Sequence, residues 1–175
     1  MKLFIISDIH GSLLYASKAV ESFKQSQADY LVCLGDFYYH GPRNNLPEGY
    51  NPMEVSKLLN PLKDSIIAIK GNCDAEVDQF ISTFHLSKRV SLKVGKKKIL
   101  LIHGHKEVDV SAYDIIISGH THIALLEERN GKIYANPGSI SLPKADNSRD
   151  YILLDEKSIS LHDMISGNLL KTIAY

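Results

Sequence analysis

Short, continuous apolar runs recur along the first two-thirds of the chain: Leu3-Phe4-Ile5-Ile6, Leu31-Val32-Cys33-Leu34, Ile66-Ile67-Ala68-Ile69, Ile99-Leu100-Leu101-Ile102 and Ile115-Ile116-Ile117. None alternates with polar residues, which suits strands covered on both faces. Between the first two runs the period changes. Ser12 stands as a helix N-cap, and Leu13, Ala16, Ala19, Val20 and Phe23 follow at helical spacing. A second helix is expected from Pro52, burying Val55, Leu58, Leu59 and Leu62, and Pro61 kinks or ends it. A third, short helix would carry Val77, Phe80 and Ile81. Val90 to Val94, a turn at Gly95, and Ile99 onward read as a hairpin, with Lys96-Lys97-Lys98 as its solvated tip. Beyond residue 123 come strands with turns at Asn130-Gly131, Asp155-Glu156-Lys157 and Ser166-Gly167-Asn168. Helices that cross between early strands, followed by hairpins, predict an α/β fold of two packed sheets with helices outside. His40 to Asn51 is the longest irregular stretch, and loops of that length are often functional.

Composition narrows the class. At 175 residues and 44% apolar content, a single domain over 1–175 can form its own core without disulfides or a structural metal. Twenty basic side chains balance twenty acidic ones, so no global field attracts nucleic acid or an anionic membrane. The first apolar run is too short for a signal peptide, and none approaches the length of a membrane span. Cys33 and Cys73 are too few for a secreted disulfide framework and read as thiols in a reducing cytoplasm.

The chemistry lies just after the apolar runs. Asp8-Ile9-His10-Gly11 follows the first, Gly35-Asp36 the second and Gly71-Asn72-Cys73-Asp74 the third. His103-Gly104-His105 follows the fourth and Gly119-His120-Thr121-His122 the fifth. In an open α/β sheet the ligand crevice lies beyond the carboxyl ends of the strands, so these residues should converge. Asp-x-His and His-x-His in extended backbone point both ligands the same way. The pool of Asp, Asn and His suits Mn²⁺, Fe²⁺, Zn²⁺ or Ni²⁺ rather than an all-oxygen Ca²⁺ cage. Each motif alone is weak. Only His85 and His162 of the eight histidines lie away from these strand ends, and that concentration favours a shared metal crevice over scattered structural roles. A phosphate-cradling Gly-Lys loop and a Gly-x-Ser-x-Gly elbow are both missing.

This ordered set resembles the calcineurin-like metallophosphoesterase superfamily, most closely the YfcE-type phosphodiesterases, with the retromer sorting subunit as a more distant relative. The likeness runs from Asp8 to Asn136-Pro137-Gly138-Ser139 and includes Asp36 followed by His40-Gly41-Pro42-Arg43-Asn44. It implies a four-layer α/β/β/α sandwich with two mostly mixed sheets, and two divalent cations, Mn²⁺ foremost. By motif, Asp8, His10 and His122 would bind the first ion and Asn72, His103 and His120 the second, with Asp36 bridging. A shared hydroxide would then attack phosphorus in line. The resemblance also implies a homo-oligomer, dimer or tetramer.

Many superfamily members carry His where this chain has Cys73, and a thiol is a weak substitute in leaving-group chemistry. YfcE-type relatives share the Cys. His105, His40 and Arg43 are further candidates for contacting the phosphoryl group, against plain structural or solvated roles. Asp74 either orients a neighbouring ligand or caps the next helix, the cap being the simpler role. Tyr38 and Tyr39 are read first as loop packing. The leading function is hydrolysis of a small phosphodiester; the alternatives are a non-catalytic binding module on the same fold and a phosphomonoesterase. A nuclease is disfavoured by the neutral charge, unless the crevice rim is strongly basic.

Overall fold

The computed structural model describes residues 1–145 and 148–175. Its strands are β1 (Leu3–Ile6), β2 (Tyr30–Cys33), β3 (Ile66–Ile69), β4 (Leu86–Ser87), β5 (Arg89–Val94), β6 (Lys97–Ile102), β7 (Ile115–Ile117), β8 (Ala124–Arg129), β9 (Lys132–Pro137), β10 (Asp150–Leu154), β11 (Ser158–Asp163) and β12 (Leu169–Ala174). The helices are α1 (Leu13–Ser26), α2 (Pro52–Leu59) and α3 (Glu76–Ile81). One sheet has the order β12-β11-β10-β1-β2-β3-β4 and the other β5-β6-β7-β9-β8. Both are mixed: β1 to β4 run parallel beside the antiparallel β10 to β12, and β6, β7 and β9 run parallel between antiparallel edges.

The continuous apolar runs are explained by burial on both sides. Successive side chains of a strand face opposite ways. Leu3, Ile5, Val32 and Leu34 pack between the sheets against Ile99, Leu101, Ile115 and Ile117. Phe4, Ile6, Leu31 and Cys33 face the helices, meeting Ala16, Val20, Phe23, Val55 and Leu59. Burying one such Leu or Ile stabilises the fold by roughly 1.5–3 kcal/mol. Over the other sheet, Leu100, Ile102 and Ile116 are covered by Val108, Val110 and Tyr113 of the segment after β6, so this outer layer is built from loop.

Ser12 caps α1 by accepting from the Tyr15 N–H, and Asn51 caps α2 through the Glu54 N–H. After Leu59, Pro61 sits in a single 3₁₀ turn, Asn60–Leu62, where the α-helix ends. The short α3 forms, but of its three apolar residues only Ile81 packs against the core: Val77 is 60% and Phe80 87% exposed. Polar contacts fix its orientation instead. Asp78 is buried and accepts from the Ala75 N–H at 2.7 Å, while Ser82 meets the buried Tyr38 hydroxyl at 2.6 Å. The lysine run also differs from the expected solvated tip. Gly95 and Lys96 make the turn, and Lys97 lies in β6 with its ammonium 5.0 Å from the Tyr175 ring centroid.

Candidate metal centre

Strands β1, β2, β3, β6 and β7 all release the chain at one edge of the sandwich, and the residues that follow them meet there. The backbone turns sharply at this edge. Among the described residues, eight non-glycine positions have positive φ, and Asp8, His10, Asp36, His120 and His122 are five of them. Such conformations are costly outside glycine and persist where the surroundings over-determine them. Close glycine contacts hold the turns together. A Cβ on Gly71 would stand 2.0 Å from Asp36 Oδ1, and one on Gly119 would stand 1.9 Å from Ser7 Oγ.

Three imidazoles are oriented in the same manner. His10 Nδ1 donates to the Tyr39 carbonyl at 2.8 Å, His103 Nδ1 to Leu34 at 2.8 Å, and His122 Nδ1 to Leu142 at 2.6 Å. A carbonyl only accepts, so Nδ1 carries a proton in each ring and Nε2 points into the crevice. His10 Nε2 and His122 Nε2 stand 3.1 Å apart. Two neutral rings in this arrangement face each other with lone pairs, so a proton or a cation must come between them.

The carboxylates complete the cluster. Asp8 Oδ2 accepts from the Ser7 hydroxyl and the His120 N–H, whereas Asp8 Oδ1 is buried without a hydrogen-bond partner. That oxygen lies 3.3 Å from His122 Nε2 and 3.6 Å from His10 Nε2. Asp36 Oδ2 lies 3.7 Å from His10 Nε2 and 3.5 Å from His103 Nε2, between the two rings. Asn72 Oδ1 is 2.9 Å from His103 Nε2. His120 contributes a ring whose centroid is 5.1 Å from that of His103, without a side-chain hydrogen bond to the cluster. An orphaned buried carboxylate oxygen and inward-facing Nε2 atoms fit a divalent cation of intermediate hardness.

Electrostatics agree with the geometry. Burial alone would raise the Asp8 and Asp36 carboxyls, but the histidines opposite hold both below the usual range. Burial would likewise lower His103, yet the Asp36 and Asp8 charges outweigh it and push the ring up to about 8. Without a metal, then, protons are shared among these groups, and a cation entering the cluster must displace them.

The chain matches the family model of the calcineurin-like phosphoesterase superfamily domain over residues 1–158. The chain belongs to this superfamily. It is 40% identical to phosphodiesterase YfcE of Escherichia coli K12 over 99% of this chain and 98% of that one. The solved structure of that Escherichia coli phosphoesterase superimposes with a TM-score of 0.94 at 39% identity, covering 99% of both chains. Vacuolar Protein Sorting 29 from Cryptosporidium parvum shares the fold, with a TM-score of 0.68 at 20% identity over 99% of this chain and 97% of that one. The calcineurin-like chain is thus a metallophosphoesterase, and the two packed sheets anticipated for it are the observed architecture.

Several residues of this phosphoesterase surround the cluster at different distances. A crevice of about 840 Å³ opens over it, walled by Tyr39, Arg43, Cys73, Thr121 and Lys144 among others. Arg43 is exposed on that wall. His40 is not on it; its ring packs edge-on against Tyr39 and Tyr50, with a buried Nδ1 that has no partner. His105 is exposed, its ring centroid 5.4 Å from that of His103 and 6.2 Å from that of His120, and it lines a different groove. Tyr38 is buried, as loop packing requires, whereas Tyr39 is partly exposed and supplies the His10 carbonyl. Asp74 does not cap α3. Its carboxylate accepts from the Asp36, Phe37 and Gly71 N–H groups and so fixes the Asp36 turn, the orienting alternative.

Sequence reasoning missed Lys144, because a lone lysine after a proline carries no spacing signal. It also missed Ser139 and Ser141, whose hydroxyls donate to the Asp8 carbonyl at 2.7 and 3.1 Å. The Asn-Pro-Gly-Ser turn was the available clue to Ser139.

The half-buried Cys73 has its thiol pushed up to about 12, first by burial and then by the Asp36 charge. It is therefore protonated at neutral pH. In chelator-treated protein, alkylation of Cys73 by iodoacetamide at pH 7.5 should run far slower than that of a free thiol and accelerate only above about pH 10. A rate matching free cysteine at pH 7.5, read by mass spectrometry, would contradict this.

Proposed function

We propose that the chain, acting as one domain over 1–175, is a phosphodiesterase that cleaves a small phosphodiester in the cytoplasm. The observation that carries this reading is the convergence of the unpartnered Asp8 Oδ1 with the Nε2 atoms of His10 and His122, beside Asp36 Oδ2. In this reading Asp8, His10 and His122 hold one divalent ion, Asn72, His103 and His120 a second, and Asp36 both. Mn²⁺ is the ion assigned, the mixed oxygen and nitrogen set being compatible also with Fe²⁺, Zn²⁺ or Ni²⁺. Such a pair supplies a nucleophilic water at neutral pH and neutralises charge on the phosphoryl oxygens. The choice of a diester is supported by the 40% identical Escherichia coli relative, which is named a phosphodiesterase. A homo-oligomer is part of the same proposal.

The protein's own groups have defined tasks. The Tyr39, Leu34 and Leu142 carbonyls hold three imidazoles with Nε2 inward. Asp74 and the Cys73 N–H fix Asp36 from either side, the latter at 2.8 Å from Oδ1. Arg43 and Lys144 face an incoming phosphate from the crevice wall. Cys73, protonated and next to Asp36, offers only a weak donor to a leaving group.

The test is hydrolysis of bis-p-nitrophenyl phosphate and of the corresponding monoester after chelation and restoration of Mn²⁺. Preference for the diester supports the proposal. No turnover with Mn²⁺, Fe²⁺, Zn²⁺ or Ni²⁺ would point instead to a binding module on this fold. Cys73→His should raise turnover on diesters with poor leaving groups by about tenfold, since a positioned acid contributes 10²–10⁴-fold where fully effective. No rise at unchanged metal content would remove Cys73 from the leaving-group argument.

A further inference from the structure

A second groove, of about 610 Å³, is lined by His103 and Asn72 and lacks the Arg43 loop that walls the first crevice. We infer that this groove holds a second anionic group of the substrate, so that the diester is a small polyanion carrying a further phosphate on a partly apolar body. The inference rests on the phosphodiesterase reading above and specifies its substrate class.

The two spaces are adjacent, because Asn72 lines both. The second groove is walled by Lys70, Lys88, Arg89 and Lys106, with Ile102 and Val108 as its apolar surface, and among the described residues no carboxylate lines it. Its volume lies within the range of small-molecule sites, about 300–1,000 Å³. None of the four groove cations takes part in an ion pair or side-chain hydrogen bond among the described residues. Since the whole chain has no net charge, the cluster is a local feature and not a sample of a basic surface. Four like charges left uncompensated around one concavity repel one another, and an anion relieves that repulsion. Lys88 and Arg89 are both exposed on its wall, and an ammonium or a guanidinium each suits phosphate.

A basic rim is also what a nucleic-acid track would need, but such tracks stack bases on aromatic rings. Among the described residues, the His103 and His105 imidazoles are the aromatic side chains that line this groove. A short, charged pocket beside a reaction centre fits a compact bisphosphate better than a strand.

Binding is read first on chelator-treated protein, by calorimetry with thymidine 3′,5′-bisphosphate and thymidine 5′-monophosphate. The bisphosphate should bind about tenfold more tightly, and the difference should vanish in Lys88→Ala/Arg89→Ala, since each charged contact is worth roughly a tenfold change or more. Equal affinities, or a difference that survives the double substitution, would overturn the proposal. So would tighter binding of hexathymidylate than of the bisphosphate, which would assign the groove to a nucleic-acid strand. Turnover is then compared on the Mn²⁺-restored enzyme with thymidine 5′-(p-nitrophenyl phosphate) and its 3′-phosphorylated counterpart. A higher kcat/KM for the latter, falling towards parity with added salt, supports the groove. Equal turnover of both counts against the groove alone; turnover of neither, with bisphosphate binding retained, counts against the phosphodiesterase reading alone.

Discussion

Asp36→Asn is expected to lower metal-dependent turnover about a thousandfold while the protein stays folded. In the proposed centre this carboxylate is the only group shared between the two halves, with Oδ2 3.7 Å from His10 Nε2 and 3.5 Å from His103 Nε2. The amide has the same shape, and its oxygen can still accept from the Cys73 N–H that Asp36 Oδ1 engages at 2.8 Å. What disappears is the negative charge. Losing several kcal/mol of charge stabilisation corresponds to roughly three decades in rate. Metal content measured by mass spectrometry should fall from two ions per chain towards one or none. A second readout does not depend on turnover. In the metal-free wild type, burial lowers His103, but the Asp36 and Asp8 charges push it up to about 8. Removing the Asp36 charge withdraws a group that favours the imidazolium, so the pKa followed by NMR should move down from about 8. Unchanged turnover with two ions bound would sink the bridging role; an unmoved His103 titration would show that the two groups are not coupled.

The sandwich was legible because its strands are buried on both faces, and Leu3 to Ile6 divides evenly between helix-side and inter-sheet cores. The convergence of Asp8, His10, Asp36, Asn72, His103, His120 and His122 on one edge was legible because strand-end motifs in a sheet share a destination. What stayed hidden depends on approach from distant sequence. Nothing in the spacing tells that Tyr39, Leu34 and Leu142 supply the carbonyls that turn three imidazoles inward. The second groove draws Lys70, Lys88, Arg89 and Lys106 from separate strand ends, so its charge is invisible in a neutral composition. For α3 the helical period was right, but only Ile81 of the three expected residues faces the core. In so short a helix, the buried Asp78 carboxylate and the Tyr38–Ser82 contact outweigh two apolar side chains, and Val77 and Phe80 are left outside.

Asp74→Ala should cost about 4 kcal/mol of stability or more, a loss larger than most single substitutions produce. The side chain is buried, with Oδ2 2.8 Å from the Asp36 N and 2.7 Å from the Gly71 N, and Oδ1 2.7 Å from the Phe37 N. Burial pushes its carboxyl up to about 6 while these donors pull the other way, so at pH 7.5 it is ionised and can accept from all three. Alanine leaves three N–H groups facing the space vacated by the carboxylate, each costing roughly 1–3 kcal/mol if water does not replace the acceptor. The same donors belong to the turn that holds Asp36 at a φ of 57°, a conformation a non-glycine residue keeps only under restraint. The damage should therefore reach the metal site, weakening divalent-ion affinity although Asp74 is not assigned as a ligand. Asp74→Asn separates the two causes. Its amide can accept through one oxygen only, and its NH₂ group then faces a donor, so its loss should fall between wild type and Asp74→Ala. Urea unfolding of the chelator-treated proteins measures this without a contribution from bound ions. If Asp74→Ala unfolds at the wild-type urea concentration, the close packing at Gly71 and the Cys73 N–H suffice to hold the Asp36 turn, and the Asp74 carboxylate is dispensable.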